Sequence, residues 1–186
     1  METDPPVEIL QKALRKVLAA IEGSGFKAVA IGSMAHRSWG TPRAPSSVEL
    51  LLPTGEAQRE AIMGASRGEG LQQVNGAGAM SFRYNDAKLG ASAGVELIEA
   101  STPFLKTVIA RAQPRVVLQS QINTASCEDL ILLRAVSELP ADREVIIELL
   151  RATAAGMDAA YLKREAEAAG TFGRIKSAWA EAKQRG

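Results

Sequence analysis

One cysteine, Cys127, and one histidine, His36, are all that the 186 residues contain of either type. A lone cysteine excludes an internal disulfide framework, and a lone histidine excludes a multi-histidine metal site. It also leaves no alternative base for a Ser-His-Asp triad. Aromatic residues make up only 4% of the chain, too few to suggest platforms for stacking nucleic-acid bases. Charge of one sign is absent too: 22 Lys and Arg face 21 Asp and Glu, a formal net charge of +1. That excludes the basic global field of a dedicated nucleic-acid binder and makes nucleic acid an unexpected main partner. Apolar runs such as Leu130–Leu133 fall far short of the roughly 20 residues of a membrane helix. The start, Met1–Pro6, is acidic and polar, without the basic stretch of a secretory signal. The expectation is a cytoplasmic protein with no membrane partner, long enough for one core and a small appended lobe.

What is present is clear punctuation, with 16 glycines and eight prolines. Leu10, Leu14, Val17, Leu18 and Ile21 recur at helical spacing, so residues 7–22 read as an amphipathic helix. Asp4 is expected to cap it, and Gly23-Ser24-Gly25 to stop it. Residues 26–31 read as a buried strand ending at Gly32, residues 33–39 as a short helix, and residues 47–52 as a second strand. In that second strand, Val48 and Leu50–Leu52 imply burial on both faces. A helix over 56–66 follows, then short strands over 71–74, 80–84 and 94–98. A helix over 103–111 and a final strand over 116–118 complete this part. From Ser126 the character becomes helical, opened by Ser126-Cys-Glu-Asp129, broken by Pro140, and continued over 142–155, 158–169 and 171–184. The expected boundary divides a mixed α/β core (1–122) from a helical C-terminal lobe (123–186).

The stretch richest in chemistry runs from Ile31 to Leu52. A strand that ends in Gly32-Ser33 and turns into a helix presents backbone N–H groups to an incoming anion. Gly32 admits a close approach, and Ser33 adds a hydroxyl. The same pair also suits an ordinary strand-to-helix turn. Ser47 and Glu49 alternate on one strand and so share a face, and Glu96 occupies a later apolar strand, Val95–Ile98. Carboxylates from neighbouring strands can converge on Mg²⁺, although a carboxylate facing water at a sheet edge needs no such role. Buried inside Val48–Leu52, the Glu49 charge requires a partner or a metal. His36 reads either as a phosphate-facing group or as an ordinary half-exposed histidine. Cys127, in a helical first turn, reads as a thiol with a lowered pKa or as a small residue near a cap. Trp39 and Trp179 read as packing residues. Lys163, Arg164, Arg174, Lys176, Lys183 and Arg185 read as a solvated helical face or as a weak surface for RNA or a partner.

In order, Gly-Ser, a short helix, Gly-x-x-Arg and a strand with alternating polar positions resemble the nucleotidyltransferase superfamily. The likeness points to its AbiEii-like and minimal members. That pattern runs Gly-[Gly/Ser]-x-Ala, then Gly-x-x-Arg-x-Thr-x-Asp-hydrophobic-Asp, then a third acid on a later strand. Gly32, Ser33 and Ala35 match the first element, Gly40 and Arg43 the second, and Glu96 the third acid. Ser126-Cys-Glu-Asp-Leu130 with Arg134 and Asp142 resembles a helical element of these relatives. The likeness covers about residues 25–150.

The departures fall at the metal positions. Ser47 stands where the family has its first paired aspartate, Glu49 where it has the second, and Pro45 where it has threonine. In the family's chemistry the aspartates hold two metals about 4 Å apart. A serine offers one neutral oxygen and cannot bridge, and a glutamate carries its oxygens a methylene farther out.

The resemblance implies an α/β fold, a small mixed sheet flanked by helices, with a helical C-terminal lobe. It implies metal positions at Ser47, Glu49 and Glu96, with Glu49 and Glu96 also the catalytic candidates. Nucleotide-binding positions fall at Gly32, Ser33, Arg43 and Arg134, and the cofactors of an active member are Mg²⁺ and an NTP. The degenerate acid pair favours an impaired or inactive protein that binds a nucleotide or a protein partner. Two alternatives stay open: active transfer of NMP to a protein or RNA hydroxyl, and a toxin–antitoxin or phage-defence component.

Overall fold

The computed structural model describes residues 5–22, 27–53, 55–74, 80–137, 139 and 141–185. Asp4, Gly23-Ser24-Gly25, Phe26 and Pro140, expected as caps, breaks and a strand start, lie outside them. Contacts group the chain into two compact units, Met1–Ala35 with Ala44–Ala125, and His36–Arg43 with Ser126–Gly186.

The first unit is α/β. Helix α1 (Val7–Glu22) leads to β1 (Val29–Ile31), which passes directly into α2 (Gly32–Ser38). Strand β2 (Ser47–Leu52), helix α3 (Glu56–Gly68) and strands β3 (Gln72–Val74), β4 (Met80–Asp86) and β5 (Ala91–Glu99) follow. Helix α4 (Pro103–Arg111) then precedes β6 (Gln113–Val117) and β7 (Ser120–Thr124). The seven strands form one mixed sheet in the order β3-β4-β5-β2-β1-β7-β6. Strand β2 runs parallel to β5 and antiparallel to β1, and β1 runs parallel to β7.

Burial explains the centre of this sheet. Val48, Leu50, Leu51 and Leu52 are all fully buried, as the apolar residues on both sides of Glu49 predict. Helix α1 buries Ile9, Leu10, Ala13, Leu14, Val17 and Ile21 and packs against α3 and against β2 and β5. Burying each such large aliphatic chain contributes about 1.5–3 kcal/mol before conformational entropy is set against it. Lys12 of α1 donates to Asp86 at 2.8 Å, and Asp86 Oδ1 also accepts the Lys88 and Leu89 N–H groups that turn β4 into β5. The Thr102 hydroxyl caps α4 by accepting from Leu105 N–H at 3.2 Å.

One strand differs from expectation. Instead of a single strand over 116–118 there is a hairpin, β6–β7, with Val117 opposite Ser120. The two linking residues, Leu118 and Gln119, both have positive φ, at 48° and 64°. A two-residue hairpin turn of this kind favours Asn-Gly, so Leu-Gln gives no local signal for it. Strand β7 also runs through the 122/123 boundary.

The second unit is helical: α5 (Cys127–Ser137), α6 (Asp142–Thr153), α7 (Ala159–Ala168) and α8 (Phe172–Gln184). Ser126 opens α5 as its spacing foretold. Its Oγ accepts from Asp129 N–H at 3.2 Å and donates to Asp129 Oδ2 at 2.8 Å. Asp158 caps α7 by accepting from Tyr161 N–H at 2.9 Å. Among the described residues no helix is long and apolar enough to cross a membrane.

Candidate functional site

The turn from β1 to α2 and the start of β2 build one polar corner of the first unit. Gly32 has φ of +66°, a backbone state open to glycine and strained for other residues. The space where its side chain would stand is occupied: an ideal Cβ would lie 2.3 Å from Glu49 Cδ. The register explains this approach, since Ile31, one residue before Gly32, is paired with Glu49 across β1–β2. Gly32 thus serves as the seat of the Glu49 carboxylate. The Ser33 hydroxyl is engaged locally, accepting from Ser46 N–H at 3.0 Å, and so ties α2 to the entry of β2.

Ser47, Glu49 and Glu96 lie together on one face of the sheet. Glu49 is in direct register with Glu96 across the parallel β2–β5 pair, and Ser47 is in register with Gly94. In-register side chains of neighbouring strands leave the same face, with strands about 4.8 Å apart. Ser47 Oγ donates to Glu49 Oε1 at 2.8 Å. Glu49 is half-buried rather than sealed in the apolar strand, and Glu96 is exposed. The burial expected of Glu49 fails because its strand carries it on the face that opens at the Ser47 end.

Two neighbours escape the sequence reading. Ser81 is in register with Glu96 across β4–β5, and Arg83 is in register with Gly94. Glycine at 94 leaves open space between Arg83 and Ser47 in that row, and the Arg83 guanidinium donates to Ser92 Oγ at 3.3 Å. Only the antiparallel register brings these residues in, and no local spacing encodes it.

The oxygen donors in these rows are the Glu49 and Glu96 carboxylates and the hydroxyls of Ser47 and Ser81. Among the described residues no group of three or more His, Cys, Asp or Glu gathers as a metal-binding set. Two carboxylates with hydroxyls beside them are hard donors of the kind a single Mg²⁺ takes, whereas a two-metal centre needs a further bridging carboxylate.

The other two nucleotide-binding positions, Arg43 and Arg134, belong to the second unit, where each has an acidic partner. Arg43 grips Glu148 with Nε and Nη2, at 3.3 and 3.0 Å, and this hydrogen bonding holds its guanidinium pKa above the ordinary value. Arg134 Nη1 donates to Asp142 Oδ1 at 3.2 Å, and Ser137 Oγ also donates to Asp142. His36 is neither half-exposed nor suited to a phosphate. It is 2% exposed, and burial, then the charges of Arg134 and Arg43, press its pKa down to about 3 against the opposing pull of Asp142. The ring is therefore neutral throughout the physiological range. Cys127 likewise departs from an activated thiol: burial pushes its pKa up to about 11. Trp39 and Trp179 are half-buried.

A scan of protein-family models and a search of curated proteins both return no match. Solved structures do match. A nucleotidyltransferase-like antigenic protein from Paracoccidioides brasiliensis aligns over 95% of this chain and 88% of its own, at 13% identity and a TM-score of 0.62. The antibiotic-resistance factor ANT(2'')-Ia, crystallised with adenylyl-2''-tobramycin, aligns over 94% and 97%, at 13% identity and a TM-score of 0.52. Its solution structure aligns over 94% and 91%, at 12% identity and a TM-score of 0.52. The seven-stranded mixed sheet with its helices is accordingly a nucleotidyltransferase-like fold.

Proposed function

We propose that this chain is a catalytically impaired nucleotidyltransferase-like protein that binds a magnesium nucleotide at the Gly32–Glu49 corner and acts as a binding or interaction module. The observation that carries this reading is the β2–β5 register, which sets Glu49 beside Glu96 with Ser47 as the only other ligand of its strand face. Glu49, Glu96 and Ser47 would hold the cation, which would neutralise the repulsion between these carboxylates and a triphosphate. With serine at 47 the face lacks the carboxylate that bridges two metals, so phosphoryl-transfer chemistry is weakened more than binding. The adenylylated product held by the ANT(2'')-Ia structure supports a nucleotide as the ligand class.

A second reading, active transfer of NMP to a protein or RNA hydroxyl, draws on the same in-register acids. Calorimetry with MgATP, followed by labelled NMP transfer across the four NTPs, separates the two. Binding that is lost in Glu49→Gln, without transfer, supports the module. Label incorporated into protein or RNA and abolished by Glu49→Gln establishes the enzyme. No heat at millimolar MgNTP removes both and leaves the Gly32-Ser33 turn a structural role.

The geometry has a reconstructive test. Ser47→Asp with Glu49→Asp places three acids in one cluster with Glu96. The metal-free variant should lose stability through like-charge repulsion. Mg²⁺ at a hundredfold excess over its dissociation constant should return about 2.7 kcal/mol. The unaltered protein should gain far less. Equal melting temperatures with and without metal in the double variant would show that the three positions do not share a cation.

A further inference from the structure

The second unit contains a cavity of about 630 Å³ that none of the predicted site residues explains. Its size falls within the range of small-molecule sites, about 300–1,000 Å³. The cavity exists because Gly40, Ala152, Ala154 and Ala182 contribute almost no side-chain volume to its wall, while Trp179 lines it as its one aromatic. Gly40 holds φ of +95° and lies against Ala152, so backbone conformation as well as side-chain size keeps this wall thin.

Charge on the same wall is lopsided. Glu148 lines the cavity but is matched at both oxygens by Arg43. Two other carboxylates of α6 and α8, which do not line the cavity, are also taken: Glu181 by Arg143 and Arg185, and Glu144 by Arg185. Arg151 and Lys183, both exposed lining residues, have no hydrogen-bond or ion-pair partner among the described residues. Two cations thus stand uncompensated beside an indole in a mostly apolar recess.

We propose that this cavity binds a planar aromatic anion of small-molecule size. The ring packs against Trp179 and the alanine wall, and the anionic group is met by Arg151 and Lys183. An aromatic ring gains area burial and stacking on the indole. The anion gains charge-assisted hydrogen bonds that a neutral analogue cannot make. The site shares no residue with the acid face of β2 and β5 and stands or falls separately from it.

The probe is 2-naphthoate, titrated into the full chain and followed through the Trp179 indole N–H resonance. Its neutral counterpart is 2-naphthylmethanol, and acetate is the anion without a ring. Naphthoate should saturate below about 1 mM and bind at least about tenfold tighter than the alcohol. Arg151→Gln with Lys183→Gln, two exposed positions whose loss leaves the fold intact, should erase that preference and leave the alcohol's affinity unchanged. Ala182→Leu should weaken both ring compounds about tenfold by filling the recess, and so should Trp179→Leu, followed by calorimetry because the variant has no indole at 179. The proposal is overturned if naphthoate fails to saturate, if the alcohol binds equally well, if acetate shifts the indole as naphthoate does, or if the preference survives in the double variant.

Discussion

Asp129 and Glu49 each sit beside a serine whose hydroxyl donates to the carboxylate at 2.8 Å, yet the two pairs have opposite settings. In the second unit Asp129 is wholly buried, and its other oxygen accepts from Tyr161 Oη at 2.6 Å. Beside it Glu128 accepts from Asp158 N–H at 2.7 Å, so that α5 and the start of α7 are locked by one buried network. In the first unit Glu49 has the Ser47 hydroxyl and the bare face of Gly32, and its in-register neighbour is a second acid. A carboxylate closed in by matched donors holds helices together. A carboxylate left half-open next to another has no such set of matched donors, and on this the proposed cation site rests.

The largest expected effect tests the closed pair. Asp129→Ala strands the Ser126 and Tyr161 hydroxyls in the interior and should lower the unfolding free energy by about 3–5 kcal/mol. Urea denaturation would show it, and a loss under about 1 kcal/mol would dissolve the contrast between the units.

Next comes the open pair. Gly32→Ala must hold an alanine at positive φ and displace the Glu49 carboxylate, at a cost of about 2–4 kcal/mol. Combined with Glu49→Ala, the clash disappears and only the backbone term remains, so the double-mutant cycle should show a coupling of about 1 kcal/mol or more. Strict additivity would mean that Gly32 does not seat Glu49.

A smaller gain is expected at the β6–β7 turn. Leu118→Asn with Gln119→Gly relieves two positive-φ residues and should raise stability by about 1 kcal/mol, read as a higher melting temperature.

The smallest effect is a pH dependence in the closed network. Burial raises the Glu128 pKa, but the Asp158 N–H and the other hydrogen bonds to this carboxylate outweigh it, and the net shift is downward from 4.5. A folded pKa below the unfolded one stabilises the protein above about pH 4.5, and the contribution is lost as pH falls through the folded value. Glu128→Gln should therefore be less stable than the parent at pH 7, and the gap should narrow in acid. A gap that widens in acid would assign Glu128 the wrong sign.

Much of this architecture was legible because it is local. The apolar stripe of α1 and the run Val48–Leu52 showed as a helix and a buried strand, and Ser126–Asp129 showed as a cap, since each depends on neighbours within a turn or a pleat. The β6–β7 hairpin was not legible, because Leu118 and Gln119 carry none of the turn chemistry that their backbone uses. His36 was misjudged for a similar reason: nothing in Met-Ala-His-Arg indicates that Arg134 and Arg43 will raise the cost of charging a buried ring.

By itself the sequence determined the element types, the central buried strand, the shared face of Ser47 and Glu49, and the absence of an aspartate at 47 and 49. Alternation of period two decides which side of a strand a residue occupies, but it carries no information on the neighbouring strand. Only the tertiary register set Glu96 beside Glu49, brought Ser81 and Arg83 into the same rows, and gave Gly32 its role as the carboxylate's seat. Likewise, only the packing of the second unit paired Arg43 and Arg134 with acids while leaving Arg151 and Lys183 without partners among the described residues. Pairing of charges between distant segments depends on which helices meet, and that is decided by burial across the whole unit and not by any local pattern.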